Sequence, residues 1–176
     1  MKNSINIDDS TISILMHQLN SNSNSIAVNA ARSLGILGFH ATKAIPQLIV
    51  ASIAKNIELR GQACASVGRI ATNPIIAVPA LANALKDEQT SVRRYAAAAL
   101  VEYGSEVNTV VDQLITSLDD PDDYVREFII SSVKNLECTL LEVKQSIKER
   151  QYDGNYFVRT AAKRILKRCD IDSKVA

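Results

Sequence analysis

PALANALKDEQTSVRRYAAAAL, residues 79–100, holds two helical patterns with a short polar break between them. Around its first part, Val78, Leu81, Ala82 and Leu85 fall at i, i+3, i+4 and i+7, one apolar stripe of an amphipathic helix. Its second part runs from a Val-Arg-Arg step (Val92, Arg93, Arg94) through Tyr95 into four alanines and Leu100. Alanine is the strongest helix former, and small side chains on several sides of one helix let other backbones approach from more than one direction. Ser91 reads as the N-cap of this second helix, which is expected to run to Tyr103. Gly104 then stands where a left-handed residue closes a helix, and Gly38 holds the same place two units earlier. Pro46 and Pro79 suit first helical turns, where a missing N–H costs no hydrogen bond.

The same layout recurs along the chain. Ile26, Leu59, Val92, Val125 and Val158 are spaced by 33 residues at every step, and so are Leu15, Leu48, Leu81, Leu114 and Ile147. Two apolar columns with one period across five copies define a repeat protein. The small-residue seam returns as NAARSL, QACASV and TAAKRIL. No single pair of helices buries its apolar face alone, so neighbouring pairs must supply the core. The pattern predicts an all-α, right-handed α-α superhelix of five helical hairpins, at about 11–38, 44–71, 77–104, 110–137 and 143–170, within one solenoid over 11–176 behind a polar tail over 1–10.

Composition narrows the function classes. Hydrophobic residues make up 47% of the 176-residue chain, charged residues 22% and aromatics 5%, with no Trp, so packing of small residues is expected rather than a core of large rings. A net charge of +1 gives no general attraction to nucleic acid or membrane. No apolar run nears spanning length and MKNSINIDDS does not read as a secretory signal, so a cytoplasmic protein is expected. Cys64, Cys138 and Cys169 lack metal or CxxC spacing and read as buried reduced thiols. His17 and His40 stand apart, and no nucleophile, phosphate-loop or dinucleotide motif accompanies them, so no catalytic residue, cofactor or metal is expected. DDPDD, residues 119–123, lacks the glycine and distal glutamate of a calcium loop and reads as a solvated turn and helix cap.

A third column carries charge. Asp87, Asp120 and Asp153 each precede an arginine by six residues, giving Asp87/Arg93, Asp120/Arg126 and Asp153/Arg159. Unit one lacks both members, having Ser21 and Ala27, while unit two keeps Arg60 beside Ala54. Joint loss of both partners favours a structural ladder between units over an anion site.

The pattern P-x-L-x-x-x-L-x-D followed by V-R-x-x-A-A-x-A-L, as it stands in residues 79–100, resembles a HEAT repeat. More narrowly, it is similar to the short HEAT-like repeats of the bilin (phycobilisome) lyase family, from about Thr11 to Asp170. The resemblance implies that the second helices line a concave surface on which partners bind. It also implies a second class of function: a bilin lyase or chromophore-detaching subunit acting on phycobiliproteins. Ankyrin and tetratricopeptide signatures are absent.

Seven of the eight aromatics lie in the second half of the chain. Tyr95, Tyr124, Phe128 and Phe157, flanked by Arg94, Arg164 and Arg168, form the candidate protein-binding patch on the C-terminal half of the concave face. The competing reading has these rings plugging gaps between helices; Tyr103 is assigned to the core. In the last helix Arg159, Lys163 and Lys167 make an i, i+4, i+8 row of like charge. It reads either as the polar outer face of a terminal repeat or as a contact surface for an acidic partner or a phosphate backbone. The expected function is a non-catalytic protein-binding scaffold or adaptor, with the bilin activity as alternative and nucleic-acid binding through the basic last helix third.

Overall fold

The computed structural model describes residues 9–134 and 141–172, with backbone alone for 141–142 and 169–172. Ten α-helices follow one another among the described residues, with no strand: α1 (Asp9–Gln18), α2 (Asn24–Leu37), α3 (Ile45–Ala51), α4 (Ile57–Ile70), α5 (Pro74–Ala84), α6 (Thr90–Val101), α7 (Val111–Ser117), α8 (Asp123–Val133), α9 (Leu141–Arg150) and α10 (Tyr156–Asp172). Short 3₁₀ segments, Gly38–Ala44 and Gly104–Val110, lead into α3 and α7. Odd and even helices pair as hairpins, and the hairpins stack in chain order into a solenoid. Even helices pack tightly on one another, odd helices hardly touch, and so the stack curves with the even helices on its inner side.

Local chemistry explains most of the boundaries and corrects some expected ones. The N-cap of α6 is Gln89, and Ser91 sits inside the first turn without a capping bond. The cap column is Asn56, Gln89, Asp122 and Asn155. Three of these side chains accept the N–H three residues on, from Leu59, Val125 and Val158. Gly38 and Gly104 both have φ of +55°, as their place past a helix end requires. Between α4 and α5 the link differs: Ala71 and Asn73 take left-handed angles and Pro74 opens α5. Pro46 lies in the first turn of α3, but Pro79 is therefore inside α5 rather than at its start. The carbonyl that its missing N–H leaves free belongs to Ile75, which is exposed.

One apolar core runs the length of the stack. Leu48, Leu81, Leu114 and Ile147 from one column, and Leu59, Val92, Val125 and Val158 from the other, are buried in it, with Leu15 packed at its edge. Ile26 departs from its column at 44% exposure. Its equivalents lean on the preceding hairpin, and no described hairpin packs there against α2. The segment Asn24–Ala51 also corrects the expectation of no membrane-length apolar run, since its length and composition suit a span. Gly38, at φ +55° and ψ −136°, breaks it into two helices whose inward side chains pack into the core.

Helix spacing is set by the smallest residues. A Cβ added to Gly68 would come within 2.6 Å of the Ala99 Cβ and 2.7 Å of its Cα, and one added to Gly35 within 2.6 Å of Ser66 Oγ. The α2–α4 and α4–α6 contacts are thus closest at equivalent points, 33 residues apart. Ser66 is fully buried and donates to the Ala31 carbonyl at 2.7 Å. Tyr103 is core, as expected, and its hydroxyl sits 3.2 Å from the carbonyls of both Val67 and Thr72 at the end of α4.

Candidate functional site

The charge column forms a ladder, with partners one hairpin further on than the six-residue spacing paired them. Arg60 grips Asp87 through Nε and Nη2 at 2.7 and 2.9 Å. Arg93 holds Asp120 at 2.7 and 3.2 Å, and Arg126 holds Asp153 at 2.9 Å through both nitrogens. Asp87/Arg93, Asp120/Arg126 and Asp153/Arg159 are therefore not carboxylate pairs. Inside its own repeat each arginine instead donates Nη1 to two backbone carbonyls. Arg93 takes those of Asp87 and Glu88, and Arg159 those of Asp153 and Gly154, both at 2.7 Å. Each aspartate also accepts the N–H two residues on, at 2.8 Å in all three turns. Burial alone would push the Asp87 and Asp153 carboxyls up, but these guanidinium and N–H bonds outweigh it and hold both below the usual range.

The candidate patch residues spread over the inner face instead of forming one ridge. Tyr95, at 48% exposure, lies over Gly61 and walls a groove between α4 and α6 with Ala65, Arg69, Ala98 and Glu102. Tyr124 is 53% exposed at the start of α8, with the Arg94 guanidinium 4.6 Å from its ring centre. Arg94 is not a free cation, because it makes a two-pronged pair with Asp122. That pair lowers the Asp122 carboxyl. Phe128 is half-buried against the core, which matches the gap-plugging reading for that ring. Phe157 is exposed and packs edge-on to Tyr156, not to the other three. Among the described residues no two of these four rings stack on one another.

Arg164 and Arg168 are exposed and line a second groove, between α8 and α10, with Ile130, Ser131, Lys134 and Ala161. Arg168 also donates to the Lys134 carbonyl. The two grooves share an unforeseen feature. Ala65 and Ala98 in the first groove and Ser131 in the second, again spaced by 33 residues, are half-buried and give each groove a narrow floor. Tyr95, Arg69 and Glu102 line it in the first groove, Arg164 and Arg168 in the second. The signal was present in the sequence as a column of small residues, but core seam and surface floor look alike in one dimension.

Elsewhere the site chemistry is sparse. Cys64 is fully buried and burial pushes its thiol up to about 12. Cys138 and the Cys169 side chain lie outside the described residues. His17 and His40 are exposed on separate elements. Among the described residues no group of His, Cys, Asp and Glu is placed to hold a metal.

A family model described as HEAT repeats matches residues 51–134 and 78–167. No curated protein sequence matches the chain. Among solved structures, the complex of CpcE and CpcF of phycocyanin lyase from Nostoc sp. PCC7120 is similar, with a TM-score of 0.77 and 22% identity over 94% of this chain and 67% of that one. A designed armadillo repeat protein in complex with the peptide (KR)4 is similar at 0.74 and 19%, over 91% and 82% of the two chains. An engineered protein is similar at 0.73 and 19%, over 92% and 80%. At these identities the likeness is one of fold.

Proposed function

The chain belongs to the HEAT-repeat family, and on that premise we propose that it is a non-catalytic scaffold that holds a partner protein along its inner face. The observation that carries this reading is the floor of Ala65, Ala98 and Ser131 with Tyr95 beside it. Small side chains leave room for another chain to lie against the helices, and an exposed ring over Gly61 is an anchor of the kind that dominates binding energy. The designed armadillo repeat protein in complex with the peptide (KR)4 supports it, since a fold of this kind binds a peptide. The patch is drawn as Tyr95, Arg164 and Arg168 around that floor, with Tyr124, Phe128 and Arg94 as its supports and Phe157 at its edge. Affinity capture from native lysate tests it, using wild type, Tyr95→Ala and Ala98→Arg, each checked for intact helicity. A partner recovered by wild type and lost by both variants supports the reading; equal recovery by all three removes the inner face from consideration.

A bilin-handling role is the second reading, supported by the resemblance of the repeats and by the fold of the phycocyanin lyase complex. Mixing the protein with free bilin, with and without an apo-phycobiliprotein, tests it. A red-shifted absorbance supports the reading and an unchanged spectrum rejects it.

A further inference from the structure

The ladder has four arginines, Arg60, Arg93, Arg126 and Arg159, but three aspartates, Asp87, Asp120 and Asp153. Arg60, Arg93 and Arg126 each take a carboxylate from the following hairpin, while Arg159, in the fifth described hairpin, is paired with none among the described residues. It keeps the anchoring half of the arrangement, with Nη1 bound to the Asp153 and Gly154 carbonyls. Its Nε and Nη2 edge meets no carboxylate among the described residues. Anchoring through Nη1 restrains the fork, so less freedom is lost when an acceptor arrives.

The surface around Arg159 has changed to match. Ala31, Cys64, Ala97 and Ile130 hold one column and are buried under the hairpin that follows each of them. In the fifth described repeat this column holds Lys163, exposed, with Lys167 exposed one turn further on. We propose that the basic surface of Arg159, Lys163 and Lys167 docks an acidic segment of a partner protein, an aspartate or glutamate of which enters the Arg159 fork. Three internal copies of the fork hold carboxylates at 2.7 to 3.2 Å, which sets the chemistry expected at the fourth. A second copy of this chain stacked head to tail does not fit. It would offer Ser21 where the aspartate belongs, and the exposed Ile26 towards the lysines.

The test is fluorescence anisotropy with a labelled peptide DDPDDYVREF, residues 119–128 of this chain, which carries the aspartate that Arg93 grips. Saturable binding is expected, weakened at least tenfold by Arg159→Gln and by Asp120→Asn in the peptide. Arg159→Lys, which keeps the charge and loses the fork, should weaken it nearly as much. Lys163→Glu, at an exposed position, weakens it by repulsion and keeps the test alive should Arg159→Gln fail to fold. Tyr95→Ala leaves this binding unchanged, which separates the Arg159 surface from the inner face. The proposal is overturned if wild type binds no peptide at millimolar concentration or if the Arg159 variants bind as wild type does. It is equally overturned if a single-stranded oligonucleotide binds the same fork more tightly than the peptide.

Discussion

At residue scale, each aspartate of the ladder does two jobs: it caps its own turn by accepting an N–H and it ties that turn to the preceding hairpin. Both jobs need the carboxylate ionised. The side chains of Arg126 and Asp153 are 14% and 3% exposed, so water screens this pair poorly and its loss should be felt. Asp153→Asn should cost about 1–3 kcal/mol at pH 6, read from the urea midpoint. The pH dependence has a definite sign. Asp87, Asp122 and Asp153 have folded-state values below the unfolded one, about 3.9. Their contribution is therefore complete above that value and lost as pH falls through the lowered ones. Wild type should lose stability more steeply than Asp153→Asn between pH 4 and pH 2, and parallel curves would contradict the assignment. Cys64 gives a second check at this scale. With its thiol pushed up to about 12 by burial, it is protonated and covered at pH 8. Iodoacetamide should modify it at least tenfold faster in urea than in the native protein, mapped by mass spectrometry of its peptide; equal rates would mean that α4 opens freely.

At the scale of the element, the alanine-rich even helices are spacers as much as core. Gly68 lies so close to Ala99 that even one methyl group forces α4 and α6 apart. Gly68→Ala should destabilise by about 1–3 kcal/mol, although alanine is the better helix former, because overpacking outweighs propensity. Gly154→Ala, with open space around its Cβ, should stay within about 0.5 kcal/mol. Similar urea midpoints for the two would argue against close packing as the reason for the small residues. The same distinction explains what could be read in advance. The helical hairpins, the 33-residue columns and the special backbone at Gly38 and Gly104 follow from periodicity and from residue chemistry local to each repeat. The true caps Asn56 and Asp122, the start of α5 at Pro74 and the burial of Phe128 depend on details one turn away that periodicity averages out. The ladder residues were legible as a column, but which aspartate met which arginine depended on the offset between hairpins. The inner groove needed the fold itself, because Ala65 and Ala98 differ from buried Ala63 and Ala96 only in which side of one helix they occupy.

For the whole molecule, the stack makes stability a sum over neighbours rather than a property of one closed core. Leu114 is fully buried in α7, inside the fourth hairpin, with repeats stacked on both sides. Ile12 is nearly as buried in α1, but only one described hairpin leans on its repeat. The two sites have similar cover and differ in how many interfaces they support. Leu114→Ala should cost about 2–5 kcal/mol and destabilise hairpins on either side, because the lost side chain leaves a cavity between layers. Ile12→Ala should cost less, since a first repeat that has come loose leaves the rest of the row standing. Hydrogen exchange separates the two outcomes. Ile12→Ala should raise amide exchange in α1 and α2 while α6 stays protected, whereas Leu114→Ala should raise it from α5 through α8. A single closed core would instead lose protection everywhere at once for either variant, and that pattern would contradict the linear stack on which both the inner-face groove and the Arg159 surface depend.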